Sequence, residues 1–586
     1  MTDNCNAVME SDGGAAASRL RHHALLLAAG LGLFFFNLGG PSLWDVDEGR
    51  NSSAALAMCE AGDWVVPTFN GALRVDKPVL LYWLQALSFH LLGIDEFAAR
   101  LPSALAALLT MVLCYELGRR MFSAAAGLLA GLIAGSAPLF CAAARFANPD
   151  ALLNLFTVLT LFLFWRGLPR PSGWWHFSLG LSMGFGTLAK GLIGFVLPQA
   201  VIVITLLASR QGRLLRDRRL LLGILGFCLA ALPWHIAIIL ATKWEFISGF
   251  YLNHNVNRFL QTMETHGGGV YLYPAIFLAG FAPWSVFLPL VLWHEARLIF
   301  GGPRGGTAFH GCPDEPRNPS ADPAGNRSPG EGTARILLWS WIGVYLVFFS
   351  LSATKLPNYI LPIIVPAAIL TGRYLNGWRT GVIQLTPWAW QLACAALLLV
   401  GVLASMGLLI AGGVIELEVY RGRSFGELGA WAPLGLLLVL GGLLAAWQAR
   451  RGRHTRALAC CVTSAVLLAI GAGAGVNAAF DPYKAPRILV QQSGACCPDQ
   501  DLRIGAFGLS QFASLTFYSR RDVITQRTEE EALDLLRYPT PTVLFLAESA
   551  WRQLADRAPG AHVVARSFNL YRNDFVVAVK NQPMVE

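Results

Sequence analysis

VLLYWLQALSFHLLG, residues 79–93, is the apolar run whose assignment sets the topology of everything after it. It has 15 residues and carries Gln85 and His90, whereas a helix needs roughly 20 apolar residues to cross a bilayer. That combination predicts an amphipathic helix lying at the interface. Upstream, 23–39 reads as a first span, and the basic Arg19, Arg21 and flanking histidines place residues 1–22 in the cytoplasm. No A-x-A-like cleavage site accompanies that run, so it is expected to remain as an anchor. Downstream, apolar runs fall near 101–118, 124–144, 151–167, 175–189, 191–209, 219–241, 271–297, 335–353, 357–372, 384–413, 430–448 and 457–478.

With 79–93 kept out of the count, the loops sort by charge. One side holds Arg119, Arg120, Arg166, Arg170, the run from Arg210 to Arg219, then Arg373, Arg379, and Arg450 to Arg456. The other holds Asp45, Asp47, Glu48, Asp63, Asp76, Asp150, Glu245, Glu264, Glu416 and Glu418. Counting 79–93 as a span inverts every later loop against the positive-inside rule, so about thirteen spans are expected.

Composition agrees. The 586 residues are 55% hydrophobic and 14% charged, against about 25% charged in a soluble domain. The net charge of +9 sits in short loops, where it reports topology; no basic stripe with interleaved aromatics points to nucleic acid. The eleven cysteines show no metal-ligand spacing, and the adjacent Cys496 and Cys497 lie in a polar segment. Residues 301–332, rich in Gly, Pro, Asn and Ser, read as a disordered cytoplasmic linker. Residues 480–586 alternate β-like runs (502–507, 542–546, 575–579) with helical ones (529–537, 549–557), predicting a small α/β domain opposite the cytoplasm. The fold class is thus an α-helical polytopic membrane protein, its transmembrane domain 23–478 followed by a small C-terminal α/β domain. No internal repeat is evident, which counts against a transporter built from inverted halves.

The chemistry-bearing residues gather at one level. The first outer loop, 40–78, holds Asp45, Asp47, Glu48, Arg50, Asp76 and Lys77 among tryptophans. Taken alone, this is a solvated loop with interfacial aromatics. The same boundary, however, also receives Asp150, Lys190 at the 189–191 hairpin, His254, Arg258 and His266 of the 242–270 loop, and Lys355 with Tyr359. A lone lysine at such a hairpin is often a snorkelling anchor. Several cations and carboxylates together fit a site for an anionic lipid headgroup better.

DEGR at 47–50, GDWVVPTFNG at 62–71, DKPVLLYW at 76–83, RLPSAL at 100–105, PDALL at 149–153, LAKG at 188–191, NHNVNRF at 253–259 and KLPNYILP at 355–362 occur in this order. Together they resemble the GT-C class of membrane glycosyltransferases, of the aminoarabinose (lipid A) transferase and protein O-mannosyltransferase type. The resemblance covers residues 30–365. It implies transfer of a sugar from a polyprenyl (undecaprenyl) phosphate carrier, on the periplasmic face of a bacterial inner membrane, to a lipid A, glycolipid or polysaccharide acceptor. Alternatives are a protein O-glycosyltransferase or a flippase for polyprenyl-linked substrate. On that resemblance Asp47, Glu48 and Asp150 are the expected catalytic acids. Arg50, Lys77, Lys190, Arg258, Lys355 and Tyr359 are the expected groups around the carrier phosphate. Asp76 with His254 or His266 offers oxygen and nitrogen ligands suited to zinc or a similar divalent ion, against the plainer reading that these histidines only hydrogen-bond. Two departures bear on the sugar: Asn51 stands where aminoarabinose members usually have tyrosine, and Asp76 where they have glutamate.

Overall fold

The computed structural model describes residues 2–262, 267–300, 330–417, 425–496, 501–509, 512–571 and 573–581. The expected linker therefore lies almost wholly outside the described residues, as do His266 and Cys497; Cys496 is exposed. Eight described helices are long and apolar enough to cross a bilayer, running from Glu96–Met121 to His454–Tyr483. Two bent pairs, Ala124–Ser136 with Pro138–Ala144 (69°) and Leu272–Gly280 with Trp284–Ile299 (110°), raise that to ten. The chain is a multi-pass membrane protein. The remaining expected spans fall on helices that miss this measure. Ile193–Ala208, for instance, has 16 residues, roughly 24 Å of helix against a hydrocarbon core of about 30 Å.

The deciding run forms a helix over Leu80–Leu92. Leu81, Tyr82, Gln85, Ala86 and Phe89 are buried, while Leu87, His90, Leu91 and Leu92 are exposed. Gln85 faces inward because it has a partner there: its Nε2 donates to Ala99 O at 2.9 Å.

The 173–190 helix packs on Leu220–Thr242 through small residues. A Cβ on Gly180 would lie 1.8 Å from Gly223 O, so the backbones touch, as helices in lipid associate when apolar burial supplies no drive. Gly191, at φ +78°, then reverses the chain and leaves Lys190 at the tip.

The C-terminal domain carries a five-stranded sheet. After a short hairpin, β1 (Thr68–Phe69) and β2 (Ala72–Leu73), its strands are β3 (Arg503–Phe507), β4 (Ile524–Gln526), β5 (Thr542–Ala547), β6 (His562–Asn569) and β7 (Asp574–Lys580). The order is β4-β3-β5-β7-β6. The β3 strand pairs parallel with β4 and β5, and β7 pairs antiparallel with β5 and β6. Central β5 is buried throughout. Its Val543 and Phe545 enter one apolar layer and Leu544 and Leu546 the other, the period-two alternation of a strand covered on both faces. A capping box at Thr528 and Glu531 starts the helix Glu529–Leu536.

This domain is bolted to the first outer loop. Asp45 accepts from the N–H and hydroxyl of Ser514 at 2.7 and 2.8 Å. The Tyr518 hydroxyl accepts from Leu43 N at 2.7 Å and donates to Glu96 at 3.0 Å. Ser42 donates to Asp481, and Lys484 donates to Ser42 O and covers the Trp44 ring at 4.0 Å. Gly49 is obligatory in this seam, since a Cβ there would stand 2.5 Å from Ser514 N.

Burial pushes the Asp45 carboxyl up to about 7, with the Ser514 hydrogen bonds and Arg50 opposing and Glu48 adding. The docked form therefore binds a proton that the undocked form releases near the ordinary aspartate value of about 3.9. That contribution is complete below this value and lost as pH rises through about 7. Burial pushes the Lys484 ammonium down to about 7, so it stays charged through most of the window. Hydrogen-exchange protection of the Ser514–Ser519 helix is expected to fall between pH 5 and 7 in the wild type. The non-ionising Asp45→Asn should flatten that profile.

Candidate active site

Helix Asp47–Ala61 begins with two acids in its first turn, where carboxylates meet the positive end of the helix dipole. They meet different fates. Glu48 is fully buried and saturated: Arg100 grips both its oxygens at 2.8 Å, and the N–H groups of Trp44 and Ala147 donate at 2.8 and 2.7 Å. Asp47 is exposed and forms no hydrogen bond or ion pair among the described residues. Its charge is nevertheless felt by Lys77.

Past the β1–β2 hairpin, Arg74 is buried, donating to the Tyr82 hydroxyl at 2.8 Å and to Asn51 Oδ1 at 2.9 Å, and pairing with Asp76 at 3.2 Å. Asp76 also meets His254 Nε2 at 3.1 Å. Burial alone would raise the Asp76 carboxyl. The His254 hydrogen bond, the Arg74 and His254 charges and Lys77 outweigh it and hold the group well below the usual carboxylate range. Burial lowers the Lys77 ammonium; Asp47 opposes this, while Lys190 and Arg258 add to it.

Helix Asp150–Gly167 opens on Asp150, which pairs with Lys190 at the hairpin tip and accepts from Asn358 Nδ2 at 2.6 Å. Lys190 Nζ also lies 5.1 Å from the centre of the Tyr359 ring. The 357–363 turn thus positions Asn358 and Tyr359 around one buried ion pair.

These groups converge on a cavity of about 330 Å³. Asp76, Lys77, Lys190, His254, Arg258 and Tyr359 line its polar end; Leu192, Val196, Phe250, Phe259 and Phe348 are among its apolar walls. The shape suits an anion attached to a hydrocarbon chain.

Of the expected site residues, Lys77, Lys190, Arg258 and Tyr359 line this cavity, and Asp150 is joined to it through Lys190. Lys355 stands behind the wall, donating to Ser350 O at 2.9 Å and to Ser352 O. Arg50 is half-buried and acts on Asp45. Glu48, expected beside the reaction, has its oxygens filled by four donors and no face toward a substrate. Of the expected metal ligands, Asp76 and His254 are hydrogen-bonded directly to each other. No group of three His, Cys, Asp or Glu able to hold a metal occurs among the described residues. Zinc takes three or four ligands, and the third expected one, His266, lies outside the described residues. Sequence reasoning missed Arg74 and Asn358 and read Asn51 only as a departure from the family pattern; the roles of all three arise from tertiary contacts. The RLPSAL run at 100–105 was a signal for Arg100, read only as part of the family pattern.

Residues 76–236 match the family model described as dolichyl-phosphate-mannose-protein mannosyltransferase. An undecaprenyl phosphate-alpha-4-amino-4-deoxy-L-arabinose arabinosyl transferase of Pseudomonas aeruginosa is 31% identical over 61% of this chain, a match spanning 60% of that relative's length. An uncharacterized protein of Aquifex aeolicus is 32% identical over 60% of this chain and 73% of its own length. The crystal structure of ArnT from Cupriavidus metallidurans bound to undecaprenyl phosphate superposes with a TM-score of 0.77 at 23% identity, covering 95% of this chain and 97% of that one. With motifs in family order, a helical fold shared nearly end to end and this degree of identity, the chain belongs to the GT-C membrane glycosyltransferases of the aminoarabinose transferase and protein mannosyltransferase type.

Proposed function

We propose that this protein transfers a sugar from undecaprenyl phosphate to a lipid or glycan acceptor, lipid A first among them, on the periplasmic face of a bacterial inner membrane. The observation that carries the reading is the amphipathic cavity, with Lys77, Lys190 and Arg258 at one end and a hydrocarbon-lined wall at the other. The aminoarabinose donor named for the Pseudomonas relative is the first sugar to try. The periplasmic orientation rests on the basic loops opposite the site.

In this reading the bond between the anomeric carbon and the carrier phosphate breaks, and its electron pair leaves on the phosphate oxygen. An acceptor oxygen attacks the opposite face of that carbon in a single inverting displacement. Lys77, Lys190 and Arg258 stabilise the charge that develops on the phosphate, in a partly dry site where fixed cations act strongly. Asp150 holds Lys190 in place, and Arg74 holds Asp76. Asp47, without a partner among the described residues, faces the acceptor. It takes the proton of a hydroxyl acceptor, or orients an acceptor phosphate that is already ionised. Glu48 and Arg100 act as positioning residues for the loop that presents Asp47. Lys355 fixes the cavity wall at Ser352.

Purified protein incubated with radiolabelled undecaprenyl-phosphate sugars and a membrane lipid extract, beside Asp47→Asn, tests the reading. Label moving to lipid in the wild type and not in the variant is the expected outcome. Tight donor binding without transfer to lipid would turn attention to protein acceptors and then to a flippase. Separately, Lys77→Ala is expected to weaken undecaprenyl phosphate binding roughly 10- to 100-fold, the range of one charge-assisted hydrogen bond. Its melting temperature should hold, because Lys77 forms no ion pair among the described residues.

A further inference from the structure

Tyr359, near the start of the Pro357–Arg379 span, lines the donor cavity; Trp378, near its end, lines another cavity of about 370 Å³. The two cavities therefore sit at opposite ends of one spanning helix. The second lies among the basic loops that hold Arg379 and Arg450 to Arg456. Its walls join that helix to Pro387–Ala411, Leu434–Arg450 and His454–Gly471.

Trp378 stacks on Trp390, ring centroids 3.7 Å apart, and on His454 at 4.4 Å, while Phe287 packs against Trp390 at 5.8 Å. The two indoles are thus already stacked, and what the lining offers a ligand is donors. Arg450 is exposed and forms no hydrogen bond or ion pair among the described residues. Gln384 and His454 stand with it in the lining, and no described Asp or Glu does. Trp390 is 2% exposed, and its Nε1 is buried without a hydrogen-bond partner among the described residues. A buried donor left unpaired in this way is uncommon. Helices Pro387–Ala411 and His454–Gly471 both begin here, and neither N-cap side chain closes its first turn. Their positive ends add to the charge of Arg450. Donors gathered without a carboxylate suit an anion.

The surface beside the cavity is apolar. Trp388, Leu392 and Leu399 form an exposed stripe down one helix, and Leu440, Leu444 and Trp447 form another on its neighbour. Trp388 and Trp447, exposed next to the basic loops, mark headgroup depth.

We infer that this cavity binds the phosphate of an anionic phospholipid from the leaflet on the basic-loop side, with the acyl chains along the two stripes. Arg450, Trp390 and the two helix starts take the phosphate oxygens. Basic pockets between spanning helices on the cytoplasmic side hold such headgroups. Soluble phosphate shares that chemistry but leaves the stripes unused. The bound lipid braces the last three long helices against the helix whose other end carries Asn358 and Tyr359. None of this depends on the sugar-transfer reading.

The test uses the full chain in detergent with a photoreactive phosphatidylglycerol bearing a diazirine near the carbonyl end of one acyl chain. Cross-links are expected within 380–392 and 443–456. Unlabelled phosphatidylglycerol should suppress them at least 10-fold more effectively than phosphatidylcholine or inorganic phosphate. Arg450→Gln, at an exposed position, should keep the melting temperature and erase the preference over phosphatidylcholine. Ala449→Phe, which fills the cavity, should cut labelling of these segments at least 10-fold and leave labelling elsewhere unchanged. Equal suppression by phosphatidylcholine, or labelling of these segments indifferent to both variants, would overturn the assignment. Inorganic phosphate competing as well as the lipid would make this the site of a soluble anion and overturn the lipid.

Discussion

Asp47→Asn is expected to lower kcat for sugar transfer by on the order of 100-fold or more, the usual worth of a positioned acid or base, and to leave the protein folded. The second half of that expectation follows from the geometry. The Asp47 carboxylate is exposed and holds nothing in place, so its amide should neither unpair a buried group nor weaken the helix start appreciably. Steady-state kinetics with a melting curve on the same sample checks both halves. The variant also separates the two roles open to Asp47. If it takes a proton from a hydroxyl acceptor, the residual rate should rise with pH as the acceptor ionises without help. If it only orients an ionised phosphate, the loss should be the same across the pH range. A folded variant with near-normal turnover would move the reaction away from the start of this helix.

The architecture was readable in the sequence wherever a single period or charge rule governed a whole element. Long apolar runs and basic loops marked the spanning helices, and the buried strands β3, β5 and β7 fell within a residue or two of their expected positions. The strands of the five-stranded sheet that escaped, β4 and β6, are a three-residue strand and an edge strand whose exposed positions include His562, Val563 and Arg566. An edge has one paired side, so its sequence is not forced into an apolar run. The helices that fall short of a full span show the same limit. Hydropathy marks them, but their depth depends on neighbours, as for 173–190 against 220–242. At the site, the cations of the donor cavity were legible because they break apolar runs at one membrane level. Arg74 and Asn358 were not, because their meaning lies in partners 23 and 208 residues away. Nor could sequence alone assign opposite roles to adjacent carboxylates; that needed the position of Arg100.

Breaking the Glu48–Arg100 pair should therefore produce the opposite phenotype to Asp47→Asn. Arg100→Ala would strip Glu48 of the only cation paired with it among the described residues and leave the carbonyls of Leu38 and Pro41 without their donor and that of Ser42 with Lys484 alone. Removing one partner of a buried ion pair costs roughly 3–5 kcal/mol, a large share of the 5–15 kcal/mol by which proteins are commonly stable. The expected result is a steep fall in melting temperature and in yield of folded protein, with transfer lost in proportion. Arg100→Lys should rescue little. The guanidinium spends five bonds on the Glu48 oxygens and three carbonyls, and an ammonium has three donors on one atom and cannot span that fork. Glu48→Gln is the finer probe. It keeps the shape but removes the charge opposite Arg100, so destabilisation should persist, smaller than for Arg100→Ala. The role of this pair is then to hold the Leu38–Trp44 turn against the start of helix 47–61, which fixes where the free carboxylate one residue earlier points. If Arg100→Lys melted like the wild type but had lost transfer, the pair would belong to the reaction itself, and Glu48 would return to the list of catalytic acids.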